Sequence, residues 1–500
     1  MLKLLRLTLI SLTTAALPLA ALADRRNVDL PEFGEPADAF LSPAEEYRIG
    51  RDVVSQMYAY NYLLEDPELQ HYLSIMGWRL AAKIPNKPPE LNFFMVRDSR
   101  INAFALPGGF IGFNAGLLMA SDSESEVAGV MAHELQHVVQ RHIARTIQGT
   151  QATNIATWLA VLAAIIAGSA NPDVVLAALS LGQGLSYQNQ VNYTRTHELE
   201  ADRLGIRVLA QAGYDPNGMA SFFQRLEQQS RLYGAGLPEI LRTHPVNTTR
   251  IAEARTRAAD YPAVQVDDSL DYRLMKARVR VLVADRPSEP VEYFARQLSA
   301  GNTGPEIHYG SALALSELGQ YDRALAALLE AQKHHPRQAN LDLLEANILL
   351  AKRQADDAKA KFAKTLEHFP KYSPAILDYA DALLSLGEPD QARQLLLASE
   401  MTLGPHLQTY RLLAHAAQAQ GDNAEVAFQM ANFLIARGDA PGALRQLNAG
   451  LRIAGLSEQD RARLQARQEE VKEMLPRGYR DEELQRRPRG SNLGLAIHKH

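Results

Sequence analysis

The sequence predicts two folds in series: an α+β domain, mostly helical with a small sheet, followed by an all-α superhelix of repeats. Three observations predict it. From Leu41 to about Tyr261 helical and strand-like patterns alternate. From about Tyr272 onward the pattern is helical throughout, and that half repeats every 34 residues. The chain has 500 residues, 46% hydrophobic and 22% charged, an ordinary globular composition. A net charge of −5 leaves no basic excess to neutralise phosphates, so nucleic acid is not an expected partner. The absence of cysteine excludes disulfides, thiolate metal sites, cysteine nucleophiles and a lipidated N-terminal cysteine.

At the N-terminus Lys3 and Arg6 precede an apolar stretch from Leu7 to about Leu22, which ends in Ala21-Leu22-Ala23 before Asp24-Arg25-Arg26. This is the layout of an export signal cleaved after Ala23. The alternative, a membrane anchor, is opposed by the shortness of the run and by Thr8, Ser11, Thr13, Thr14 and Pro18 within it. The expected divisions are a leader at 1–23, the mixed domain at 24–270, a helical connector at 271–303, about four repeats at 304–475 and a basic tail at 476–500.

In the mixed domain, Asn102 to Asn114 reads as two short strands around the turn Pro107-Gly108-Gly109. An edge strand at Asn102, Ala103, Phe104 and Ala105 would hold an extended peptide through its main chain, against the plainer reading of a structural hairpin. Ser121-Asp122-Ser123-Glu124 supplies a helix start, and the helix it opens carries His133-Glu134-Leu135-Gln136-His137 in an uncharged setting. Positions i and i+4 share a helix face, so both imidazoles can reach one metal ion, with Glu134 placed to take a proton from water. Burying these groups without a metal would leave polar atoms needing partners. A third ligand is then required. In His197-Glu198-Leu199-Glu200-Ala201-Asp202, Glu198 and Asp202 share a face. That favours Glu198 over Glu200 as ligand and makes Asp202 a partner for the other nitrogen of a ligand histidine. His197 is rotated away.

Between these motifs, Ile155–Ala170 is almost wholly apolar, and only Asp173 is charged between Arg145 and Arg195. Two readings stand: buried core helices, or an exposed apolar hairpin making peripheral contact with membrane or a hydrophobic partner.

In the second half Ala312, Ala346, Ala380 and Ala414 are in phase, as are Ala324, Ala358 and Ala392. Gly319, Gly387 and Gly421 and the exits Pro336 and Pro370 keep the same period, with Pro405 one residue late. Small residues at fixed places let paired helices cross closely, and the pattern resembles tetratricopeptide repeats, which stack into a concave binding surface. The fourth unit reads as degraded, with Val426 where alanine is expected. The tail carries Arg477, Arg480, Arg486, Arg487 and Arg489 and reads as a solvated terminus.

HELQH followed by ELEAD resembles the HExxH…ExxAD signature of the gluzincin metallopeptidases, a group that includes the CAAX prenyl proteases and the heat-shock protease HtpX. Together with the leader and the repeats, the layout is similar to that of the periplasmic β-barrel assembly-enhancing proteases. The resemblance implies a zinc endopeptidase with one Zn2+ per chain, ligands His133, His137 and Glu198, and Glu134 as catalytic base. It matches Asp202 to a position described as a proton donor, where the spacing alone suggests an orienting partner. Thr243-His244-Pro245 through Arg250 resembles the His-Pro…Arg segment of the same family. His244 then either stabilises an oxyanion or plugs the metal, unless it is a surface histidine before a turn. Arg250 either stabilises a tetrahedral intermediate or is a helix-surface cation.

The function implied is periplasmic quality control: cleavage of misfolded or stalled outer-membrane β-barrel proteins, recruited with the barrel-assembly complex through the repeats. The alternative is a repeat-based chaperone or scaffold with a mostly latent metal site. An integral-membrane protease is opposed by the cleavable leader. If the repeats only recruit, deletion from about Asn302 onward is expected to leave cleavage of a short peptide intact.

Overall fold

The computed structural model describes residues 41–85, 90–150, 187–233, 240–241, 244–262, 266–333 and 335–475. The leader, the apolar run Ile155–Ala170 and the basic tail lie outside these residues. The mixed domain opens with helix α1 (Pro43–Ala59), started by a capping box between Ser42 and Glu45 with proline at its first position. Helix α2 (Pro67–Ala81) starts the same way, its first turn capped by Asp66.

Three strands follow: β1 (Asn92–Val96), β2 (Ala103–Leu106) and β3 (Phe110–Asn114). Their order is β1-β3-β2, with β1 parallel and β2 antiparallel to β3. The hairpin lies where the sequence puts it, with Ala103 opposite Phe113 and Leu106 opposite Phe110. Gly108 and Gly109 both take positive φ in its turn, and a side chain on Gly108 would run into the Tyr47 backbone of α1. Strand β1 was not foreseen. Its run Phe93-Phe94-Met95-Val96 is apolar on both faces because the sheet is buried on both: Phe93, Met95 and Ile111 face the main core, while Phe94, Phe104 and Phe110 pack under Val53 and Met57 of α1.

Helices α3 (Ala115–Ala120), α4 (Glu124–Val139), α5 (His142–Thr150), α6 (Tyr187–Gln211), α7 (Gly218–Tyr233) and α8 (Thr248–Ala258) follow among the described residues of this half. From α9 (Leu270–Leu282) and α10 (Ser288–Ser299) onward the described chain is helical. The apolar core does not stop at residue 270: one continuous cluster runs from Leu64 through α4 and α9 to Leu341 and Ile348.

The 34-residue period becomes helix pairs: Pro305–Glu317 with Tyr321–Gln332, Ala339–Ala351 with Ala355–His368, Ser373–Ser385 with Pro389–Ala398, and Leu407–Gln420 with Asn423–Ala436. All seven phased alanines are buried at the crossings. Gly319, Gly387 and Gly421 take left-handed backbone between paired helices, and Arg353 occupies the same slot in the second pair at φ 63°. The fourth unit is shifted rather than degraded. A short helix, Glu400–Leu403, intervenes, and the small residue slides to Ala427, which is 4% exposed and lies against Gly450. A further pair, Ala440–Gly450 and Glu458–Met474, closes the described chain. Among the described residues no helix is long and apolar enough to cross a membrane.

Candidate metal centre

Helix α4 is buried along nearly its whole length. Ser123 caps it by accepting from Glu126 N, and Glu126 in turn accepts from Asp122 N at 2.7 Å and pairs with Arg225. Helix α6 crosses α4 closely because Gly205 lies against the Ala132 backbone, where a Cβ would approach to 3.3 Å. Gly129 lies as tightly on Met219 of α7. Gly205 therefore sets the separation at which the faces bearing His133/His137 and Glu198/Asp202 meet, while Gly129 lets α7 close on α4.

Donor atoms of His133, His137, Glu198 and His244 all lie within 4.8 Å of one another. His133 Nε2 is 3.0 Å from His137 Nε2 and 3.4 Å from both Glu198 Oε2 and His244 Nδ1. His137 Nε2 is 3.4 Å from Glu198 Oε1, and His244 Nδ1 is 3.0 Å from that oxygen. Glu134 is fully buried, and among the described residues neither of its carboxylate oxygens has a hydrogen-bond partner; His244 Nε2 approaches Oε1 at 3.5 Å.

Around this cluster, Asp202 Oδ1 stands 2.9 Å from His133 Nδ1. The Arg250 guanidinium donates to both Asp202 oxygens, reaches Glu198 Oε2 at 2.9 Å, and lies over the Phe223 ring. Arg250 is 4% exposed, so it is not a surface cation. Its Nη1 also donates to Pro245 O, tying down the loop that carries His244.

The buried carboxylates and imidazoles shift one another strongly. Burial alone would depress His133, but hydrogen bonds and charge from Asp202 and Glu198 hold it at about 10. Burial and the neighbouring imidazoles push His137 well below its ordinary value. Burial would raise Glu198, yet His244, Arg250 and His133 hold it well below the usual carboxylate range. Asp202 is likewise lowered against burial, chiefly by Arg250 and His133. His244 is raised by Glu198 and Glu134 despite burial.

Of the residues singled out from sequence, the metal-motif residues and the His-Pro…Arg segment thus converge. Asn102, Ala103, Phe104 and Ala105 lie at or beside the edge strand β2, which packs against α4. Three features had no sequence signal strong enough to find them. One is a cleft in which Val130, Phe223, Leu226, Ile240 and Val246 make an apolar wall beside Glu134 and His244. The second is His142, whose Nδ1 is 2.9 Å from His137 Nδ1 and whose Nε2 is 3.1 Å from Glu200 Oε2. The third is the stack that His197, rotated away from the ligands as the spacing predicts, makes on His142 at 4.3 Å. Burial, with neighbouring positive charge, pushes both His142 and His197 down to about 4.

Two imidazoles and a carboxylate converging on one point, with an unpartnered carboxylate alongside, fit a borderline divalent cation such as zinc. Residues 65–258 match Peptidase family M48, and residues 349–402 match a tetratricopeptide repeat. The chain is 37% identical to a putative beta-barrel assembly-enhancing protease of Vibrio cholerae, over 66% of this chain and 68% of that one. It is 32% identical to the beta-barrel assembly-enhancing protease of Escherichia coli, over 94% of this chain and 96% of that one. The mitochondrial metalloendopeptidase OMA1 of Arabidopsis thaliana is 35% identical over 31% of this chain and 29% of its own.

Proposed function

The chain belongs to the beta-barrel assembly-enhancing proteases, metallopeptidases of family M48, and from that premise we propose that it is an exported zinc endopeptidase. On this reading it acts in the periplasm on misfolded or stalled outer-membrane β-barrel proteins. The observation that carries the chemistry is the convergence of His133, His137, Glu198 and His244 beside the orphaned carboxylate of Glu134.

His133, His137 and Glu198 hold the metal, one ion per chain. When bound, zinc supplies Lewis acidity and makes an attacking water acidic near neutral pH. Glu134, buried and without a hydrogen-bond partner among the described residues, takes the proton from that water and passes it to the leaving amine. Asp202 fixes the tautomer and orientation of His133 through Nδ1, so its part is positioning rather than proton donation. Arg250 is committed to Asp202 and Glu198, and acts by holding both in place. His244 sits within the ligand cluster, where it would compete with water for a bound metal and would have to withdraw before substrate enters.

A client strand pairs with the main chain of β2 near Asn102 to Ala105, and the apolar wall of Phe223, Leu226, Ile240 and Val246 takes a hydrophobic side chain near the scissile bond. Selectivity among exported proteins comes from the repeats at 304–475, whose concave surface raises the local concentration of chosen clients or of the barrel-assembly complex. The position of His244 also supports the second reading, a chaperone or scaffold whose peptidase is latent until released.

Metal analysis with casein cleavage tests the assignment. About one zinc per chain is expected in the parent and in Glu134→Gln, with cleavage lost only in the variant. Full proteolysis by Glu134→Gln would remove Glu134 from the mechanism.

A further inference from the structure

The two metal-motif histidines of α4 are backed by different partners. His133 has a carboxylate, Asp202, on its outer nitrogen. His137 has no carboxylate there; its outer nitrogen meets another histidine, His142, at 2.9 Å. We propose that His142 is a positioning residue for His137, completing a relay from Glu200 through two imidazoles to the metal. The proposal rests on His137 being a metal ligand.

The proton arrangement follows from chemistry. A histidine that gives the Nε2 lone pair to a metal carries its proton on Nδ1. His142 Nδ1 must then be the acceptor at the 2.9 Å contact, which leaves the His142 proton on Nε2. That nitrogen faces Glu200 Oε2 at 3.1 Å, a carboxylate that can only accept. Every proton in the chain has one place to go, so the relay fixes both tautomers when the carboxylate is ionised. Arg145 donates to the same Glu200 oxygen at 2.9 Å and holds that carboxylate in place.

The backbone is shaped to make this contact. Arg141, between α4 and α5, takes φ 50°, which is costly for a residue with a side chain and turns the helix axis so that His142 comes back over His137. The guanidinium of Arg141 is held by Glu46 Oε2 at 2.9 Å and by Leu41 O at 2.6 Å, so α1 secures the turn. His142 is 2% exposed; Thr146 Oγ1 donates to its carbonyl, and the His197 ring stacks on its face with planes 7° apart. A ring stacked on one face and engaged at both nitrogens is oriented, not merely packed. The relay also gives Glu200 a role distinct from that of Glu198, two positions before it.

The test is zinc affinity of the full mature chain by competition with a chelator, with the absorption spectrum of the cobalt-substituted protein as a second readout. His142→Phe keeps the ring and its stack on His197 but removes the acceptor; zinc affinity should fall by about 10–100-fold and the cobalt bands should shift. His142→Asn returns an acceptor near the Nδ1 position and should recover most of that loss. Glu200→Ala, at a side chain 31% exposed that tolerates truncation, should weaken zinc binding in the same direction. Unchanged affinity in His142→Phe and Glu200→Ala, while His137→Ala loses zinc, overturns the relay alone. Unchanged affinity in His137→Ala overturns the metal assignment and the relay with it.

Discussion

Arg250 grips Asp202 with two parallel hydrogen bonds, Nε to Oδ2 at 2.7 Å and Nη2 to Oδ1 at 2.8 Å. Asp202 is in turn 2.9 Å from His133 Nδ1, so a cation on α8 holds the α6 carboxylate that stands behind a histidine on α4. Removing the guanidinium leaves Asp202 and Glu198 buried with less compensating charge. Arg250→Leu should therefore cost about 3–5 kcal/mol of stability, by analogy with other broken buried pairs. Arg250→Lys, which keeps the charge but not the fork, should recover only part of it. Denaturant melts check the cost. A loss below about 1 kcal/mol would mean that the pair contributes little to holding the site together.

The crossing of α4 and α6 gives a second prediction. A side chain at Gly205 would press on the Ala132 backbone and on the Met219 terminal methyl. Gly205→Val should force the helices apart, cost about 1–3 kcal/mol or more, and weaken zinc binding by separating His133 from Glu198. Full metal content at parental stability would show that α6 can slide without harm.

Much of this was legible in the sequence for a physical reason. Ligands that share a helix face appear as fixed spacings, so His133/His137 and Glu198/Asp202 stood out. The repeats were legible because close helix crossings demand small residues in phase. His142 was invisible because its approach to His137 depends on the left-handed turn at Arg141, a conformation that residue type does not announce. Strand β1 was missed because a strand buried on both faces does not alternate. The slip to Ala427 was hidden because Ala414 and Gly421 keep the phase, and the small residue moves by one position only within the helix Asn423–Ala436.

That same phase logic makes Arg353 a target. Glycine fills the equivalent slot in three other pairs, and Arg353 holds φ 63° without that freedom. Arg353→Gly should stabilise the chain by about 1 kcal/mol, the relief of left-handed strain outweighing the added freedom of the unfolded state. The thermal midpoint checks it. A lower midpoint would mean that the arginine side chain contributes more than its backbone costs.

His406 gives a pH prediction away from the metal. Its Nδ1 accepts from Gln408 N at 3.3 Å, capping Leu407–Gln420, and burial pushes its pKa down to about 4. A group depressed in the folded state is protonated more readily when unfolded. Its stabilisation is thus fully present above the unfolded value near 6.5 and is lost as pH falls toward 4. His406→Asn keeps a capping acceptor and removes the titration, so the difference in stability between variant and parent should grow in the variant's favour from pH 6.5 to 4. A constant difference across that window would refute the assignment.

The last prediction reverses the expectation that the repeats can be deleted without harm to the peptidase. Arg278 of α9 donates to Asp66 and reaches Glu68 Oε1 at 2.7 Å, both on the start of α2 in the mixed domain. Tyr309 of the first repeat accepts from the same guanidinium at 2.9 Å. Asn340 of the second repeat donates to Glu68 Oε2 at 2.6 Å, and the hydroxyl of Tyr372 donates to it at 3.2 Å. His71 on the next turn of α2 meets Ser373 Oγ at 3.0 Å. Glu68 is almost fully buried, so a chain ending near Asn302 would strip two of its hydrogen bonds and open the shared core at Tyr309, Leu341 and Ile348. Each buried polar group left unsatisfied costs about 1–3 kcal/mol, and the lost apolar cover adds to that. Truncation should therefore reduce soluble yield, lower the melting temperature and abolish cleavage even of a short peptide. Recruitment by the repeats has to be tested in the full chain, by substitutions on their exposed surface that leave Arg278, Glu68 and Tyr309 untouched. A truncated chain that melts like the parent and cleaves the peptide at the parental rate would show that the two halves are independent, and the junction at Arg278 no more than a docking contact.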